Sequence, residues 1–181
     1  AISSQMRAVL HHPDFQELEG NWRSVATLLR RVEIGSDVKL YLWDVTRDEL
    51  TADVEGAGDN LSASATFKRL VEEGIDMPGG EPWSLIVNCE TFGPSAGDLS
   101  LLSRLGAIAS RAGGPLLAGG CYALVGCPAW HKAPDPDDWR PLASADASRW
   151  QGFRESGISP SVGLVAPRMM ARLPYGKRTD P

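Results

Sequence analysis

Trp83-Ser84-Leu85-Ile86-Val87-Asn88-Cys89 is the most strand-like run in the chain, and the elements read next along the sequence decide the fold. Asp98 can cap a helix whose Leu101, Leu102, Leu105, Ile108 and Ala109 recur at helical spacing, and Gly113-Gly114-Pro115 ends it. Pro115 to Ala118 then reads as a short buried strand, after which Gly119-Gly120 turn the chain into Cys121 to Val125. Strand, helix and strand in this order imply parallel pairing with right-handed crossovers.

Outward from this unit the alternation continues. Asp14 can cap a helix with Glu17 in a capping-box-like place, and Phe15, Leu18, Trp22, Val25, Leu29 and Val32 recur at intervals of three and four, which predicts one buried face. Gly35 stops that helix. Val38 to Trp43 is almost continuously apolar and predicts a strand covered on both faces. Thr46 or Asp44 can start the next helix, running to about Val54, before the loop Gly56-Ala57-Gly58-Asp59-Asn60. Ser62 can cap a helix carrying Phe67, Leu70 and Val71 and closed by Gly74, and Met77 to Pro82 is a turn.

Beyond the central unit, residues 127–141 form a proline- and aspartate-rich solvated loop bracketed by Trp130 and Trp139, at least one of which is expected to fold back or to meet a partner. Ala143 to Glu155 reads as a helix with Ala147, Trp150 and Phe153 inward, leading to a strand at Val162 to Ala166 that Pro167 ends. The expected architecture is a single α/β domain over residues 1–181, a small mostly parallel sheet flanked by helices, with a basic segment at 167–181.

Composition frames the function. The 181 residues suit one domain that needs no disulfide or metal staple. Eighteen basic against 23 acidic residues, a formal charge of −5, argue against nucleic acid or an anionic membrane as the main partner. No apolar run approaches the ~20 residues of a membrane span, and no stretch reads as a signal peptide. Charge is unevenly placed: Asp44, Asp48, Glu49, Asp53, Glu55 and Asp59 face Arg47 alone, while Arg168, Arg172, Lys177 and Arg178 gather near the end. Opposite patches on one small domain suit stacking of like subunits, because complementary fields orient encounter. Two solvated faces without a partner are the plainer reading of the same pattern.

Chemistry has few candidates. Cys89, Cys121 and Cys127 fit neither a disulfide framework nor a zinc set, and the chain is expected to be a reduced cytoplasmic protein. His11 and His12 are adjacent and cannot share a metal from one helix face as an i, i+4 pair would, with His131 distant; His12 is expected to bond at the helix entry. Gly113-Gly114 and Gly119-Gly120 lack the spacing and the lysine of a phosphate cradle. Glu81, Glu90 and Asp98 could pair carboxylates near the carboxyl end of the central strand, yet no nucleophile, base or oxyanion donor set accompanies them. The expectation is a non-enzyme without cofactor or metal. Arg154 and Glu155, adjacent at a helix end, can bridge to a neighbour, and with Arg168, Arg172 and Tyr175 they form the expected interaction surface.

Three segments carry a resemblance. Leu10-His11-His12-Pro13-Asp14-Phe15-Gln16-Glu17-Leu18-Glu19-Gly20-Asn21-Trp22-Arg23, then Pro78-Gly79-Gly80-Glu81-Pro82-Trp83 with the strand after it, then Gln151 to Gly176, are similar in order and spacing to the large subunit of the bacterial type VI secretion contractile sheath, the TssC/VipB/EvpB family. Asn88-Cys89-Glu90-Thr91-Phe92 departs from an acidic and aromatic pairing common there, and Met169-Met170 replace bulkier residues. The resemblance covers nearly all of this chain but not all of the family, and implies a fragment lacking the amino- and carboxy-terminal regions. It further implies a structural role: assembly with a small sheath subunit (TssB/VipA-like) and other large subunits in a helical lattice around an inner tube protein, and recycling by a hexameric unfoldase. Strands that link neighbours lie largely in the missing regions, so the isolated domain is expected not to polymerise. The competing expectation is a small-ligand-binding or hydrolytic α/β domain with its site near Asn88, Cys89, Gly119 and Gly120.

Overall fold

The computed structural model describes residues 2–129, 132–173 and 175. The chain forms two compact units, one of residues 1–43 with 169–181 and the other of residues 44–168.

In the first unit α1 (Ile2–Leu10) and α2 (Pro13–Arg31) follow each other across His11 and His12. The cap of α2 is His12 rather than Asp14: the His12 Nδ1 accepts the Asp14 N–H at 3.3 Å, and Pro13 takes the first helical position, where its missing donor costs nothing. The entry role expected of His12 is therefore met, while Asp14 lies in the first turn beside the positive end of the dipole. The expected buried face of α2 does not form: no described residue of α1 or α2 is buried. Nor is Val38 to Trp43 a covered strand. It joins no ladder and stays exposed throughout, since a strand is stabilised by the neighbour it pairs with and none is supplied among the described residues.

The second unit carries the α/β layer. Three parallel strands, β1 (Ile86–Phe92), β2 (Leu116–Gly120) and β3 (Val162–Val165), lie in the order β1-β2-β3. The ladder begins at Ile86, not Trp83, because Trp83 is held elsewhere: its backbone N–H donates to Ala112 O and its indole Nε1 to Leu70 O. Val87 aligns with Leu117 and Leu117 with Gly163, which fixes the register across the sheet. Helix α5 (Ala96–Arg111) packs on β1 and β2, with Leu101, Leu102, Leu105, Ile108 and Ala109 all buried, as its periodicity predicts. Its cap is Ser95, whose hydroxyl accepts the Asp98 N–H, while the Asp98 carboxylate turns back to the Gly93 N–H. Gly106 lets α5 approach closely, for a Cβ there would sit 2.6 Å from Val162. Helix α6 (Ser144–Glu155) buries Phe153, which stacks on Trp150 at 5.6 Å.

Helix α3 (Arg47–Gly56) opens with the reciprocal capping box of Thr46 and Glu49, and buries Leu50 and Val54. Sequence places the next helix start at Ser62. Instead residues 61–63 make a 3-10 turn and Ser64 caps α4 (Ala65–Phe67), which continues as a π-helical stretch, Lys68–Asp76, through Gly74. The shift has a cause: Asp53 in α3 receives the Ala65 N–H, the Thr66 N–H and the Thr66 hydroxyl at 2.6–2.8 Å, which sets where the first turn begins. Burial pushes the Asp53 carboxyl up, but these donors outweigh it and hold it below the usual range. Arg104 on α5 donates to Val54 O at 3.0 Å and to Gly58 O, satisfying carbonyls at the far end of α3.

Candidate functional site

Within the first unit, Phe15, Leu18, Trp22, Val25, Leu29 and Val32 alternate three- and four-residue steps, so they form one seam along α2 of the kind that takes a partner helix. Phe15, Val25 and Val32 are half-buried, whereas Leu18, Trp22 and Leu29 are 57%, 59% and 50% exposed. Val38, Leu40, Leu42 and Trp43 add a second apolar stretch that is also exposed. Apolar exposure gathered in so short a stretch exceeds the singly scattered apolar residues of an ordinary surface and marks a candidate interaction surface.

The same unit is fastened by a clasp that joins its two ends in sequence. Arg172 Nε and Nη2 fork onto the Glu19 carboxylate at 2.8–3.0 Å, from 153 positions away, and its Nη1 donates to Leu173 O at 2.6 Å. The guanidinium lies 3.4 Å from the centre of the Tyr175 ring, and Arg23 donates to Glu19 from the next turn of α2. Arg172, then Arg23, hold the Glu19 carboxyl down at about 2, while Glu19 raises Arg172. Of the five residues expected on an interaction surface, Arg172 and Tyr175 are thus turned toward their own α2. Arg154, Glu155 and Arg168 are exposed. Sequence does not single out Glu19, although it sits inside the first matched segment and Arg172 inside the last; the two segments meet.

In the second unit the carboxylates expected near the end of the central strand do converge, but on a cation. Arg47 donates to Asp98 at 2.5 Å and to Thr91 O at 3.2 Å, lies 3.7 Å from Glu90, and covers the Phe92 ring at 4.9 Å. This arrangement is a strut that ties the first residue of α3 to the end of β1 and the first turn of α5. Glu81 is exposed on the turn before β1. Around the competing site, Asn88 Oδ1 accepts the Glu90 N–H, Cys89 is exposed, and a Cβ at Gly119 would stand 3.0 Å from Glu90 O and Thr91 Oγ1. That space is filled by the neighbouring strand. Cys121 is half-buried and Cys127 is buried with its thiol toward Ala133 O. Gly113, at φ +89°, makes the turn after α5, where Gly114 packs against the Trp83 backbone. Among the described residues no three His, Cys, Asp or Glu side chains gather as a metal site, and His131 lies outside them. No described helix is long and apolar enough to cross a membrane.

One cleft of about 640 Å³ opens where α6 meets residues 124–126 and 139–142. Trp139, Leu142 and Trp150 line it, half-buried, with Arg140 and Arg154 exposed beside them. Trp139 folds back, its Nε1 donating to Ala133 O at 3.0 Å, as expected of one of the two loop tryptophans; Trp130 lies outside the described residues.

Residues 1–181 match throughout the family described as EvpB/VC_A0108, tail sheath N-terminal domain (VipB). Over 182 aligned residues the chain is 31% identical to the type VI secretion system sheath protein TssC1 of Pseudomonas aeruginosa (strain PAO1). That alignment covers 99% of this chain and 36% of the relative, so the chain spans about a third of the relative's length.

Proposed function

Because the chain belongs to the EvpB/VipB tail sheath N-terminal domain family, we propose that it acts as the amino-terminal part of a large subunit in a type VI secretion contractile sheath. The observation that carries this reading is the first unit, whose α2 seam and Val38–Trp43 stretch expose apolar side chains and which buries no described residue of its own. Such a unit is completed by another chain. The seam suits an apolar helix of a small sheath subunit, and the 38–43 stretch suits a strand added alongside it. The role is structural: a rigid second unit for the lattice and an open first unit for the companion, around an inner tube and recycled by an unfoldase from the cytoplasm. Arg154, Glu155 and Arg168 belong to the outer contact surface in this reading.

The test is co-expression of the full-length protein with the small sheath subunit, followed by sedimentation of assembled sheath. Trp22→Asp combined with Leu42→Asp leaves the protein soluble and folded and abolishes the sedimenting assembly, because each carboxylate would have to be desolvated against the partner. Wild-type amounts of sheath from that variant would overturn the reading.

A further inference from the structure

We propose that the cleft beside Trp139 and Trp150 receives helix α3 of a second copy of this chain, a head-to-tail contact between large subunits; the proposal deepens the sheath reading and rests on it. Charge complementarity carries it. Among the described residues neither Arg140 nor Arg154 has a carboxylate within 4 Å, and Glu155, also on the lining, accepts from Gln151 at 2.8 Å. Asp137 and Asp138 precede Trp139 in the chain but do not line the cleft, whose charged lining is Arg140, Arg154 and Glu155, two cations against one acid. On α3, Asp48, Ala52 and Glu55 stand at i, i+4 and i+7 and are all exposed. Among the described residues Asp48 and Glu55 have no cation within 4 Å. The small Ala52 between two acids lets a helix face settle against tryptophan rings while each acid reaches an arginine.

The fastening of α3 at both ends supports docking. Arg47 fastens the start of α3 to Asp98 and Thr91 O, and Arg104 fastens its end through Val54 O. Helix α3 packs on α4 and α5, whereas the cleft is built by α6 and residues 124–126 and 139–142, so the two are separate surfaces. Different surfaces that complement each other between copies propagate instead of closing into a pair, which is the geometry a helical lattice needs. Of the basic residues that the sequence places near the end of the chain, Arg172 is engaged with Glu19 and Arg168 is exposed, while Lys177 and Arg178 lie outside the described residues.

The experiment is charge exchange in the full-length protein co-expressed with a small sheath subunit. Arg140→Glu with Arg154→Glu, and separately Asp48→Lys with Glu55→Lys, each lower the sedimenting assembly about fivefold to tenfold, an effect that added salt mimics in the unaltered protein. All four substitutions together restore it. Unchanged assembly in both double variants overturns the proposal, and so does a loss that the fourfold exchange fails to restore, which would point to another acidic partner. Co-elution of the small subunit stays intact in every variant and separates this contact from the first unit's: loss of co-elution in the unaltered protein would sink the sheath reading, not this one alone.

Discussion

Helices α2 and α5 carry the same kind of apolar periodicity, yet they end in opposite environments. In α5 the stripe of Leu101, Leu102, Leu105 and Ile108 is buried against β1 and β2; in α2 the seam of Leu18, Trp22 and Leu29 is half open to water. The difference is in what lies opposite. A parallel sheet within the same 44–168 unit supplies a ready face for α5, while the described residues of the 1–43 stretch hold two helices and an extended tail and no sheet. Periodicity states which face must be covered and is silent on which chain covers it.

The sharpest way to break this contrast is to cut one leucine on each side of it. Leu102, with no exposed surface, should cost about 3 kcal/mol when replaced by alanine, read as a lower denaturant midpoint with an unchanged slope. Leu18→Ala should cost the free protein less than ~0.5 kcal/mol, because most of its side chain is already in water, and should weaken sheath assembly instead. Equal losses at the two positions in the free protein would abolish the distinction.

A smaller effect sharpens the account of the second unit. Asp53→Ala removes the carboxylate that receives two backbone donors and a hydroxyl at the start of α4, and should destabilise by about 1–2 kcal/mol. Hydrogen exchange should show the loss first in residues 64–76 and leave α5 protected. Thr66→Val, which keeps the backbone donors and deletes the hydroxyl alone, should show a fraction of it.

These contrasts also explain what is legible in the amino-acid order. Strands β2 and β3, helix α5 and its buried leucines, the Thr46 start of α3 and the inward Phe153 can all be read, because each is set by residues close in sequence or by a periodicity whose covering layer lies in the same unit. The start of α4 cannot, since Asp53 dictates it from twelve positions upstream. A strand at Val38–Trp43 is inferred from apolar content, which is a demand for burial, and no partner strand answers it among the described residues. Of the site, Glu90 and Asp98 are visible as acids and Arg47 as a lone cation, but the pairing of Arg47 with both is not, and the Trp139–Trp150 cleft depends on where a proline-rich loop comes to rest.

The clasp offers the finest test, through pH. Glu19 is held down from its ordinary 4.5 to about 2 by Arg172 first and Arg23 second. A depressed carboxyl contributes stability that is fully present above its unfolded value and is lost as protons bind on the way down. Exchange protection of residues 169–173 should therefore be flat from pH 7 to about 4.5 and should decay between there and about 2. Glu19→Gln should remove that decay by removing the protection it tracks, leaving the segment open at every pH. A protection profile that already falls between pH 7 and 6 would overturn the assignment of the fastening to the Glu19 carboxylate.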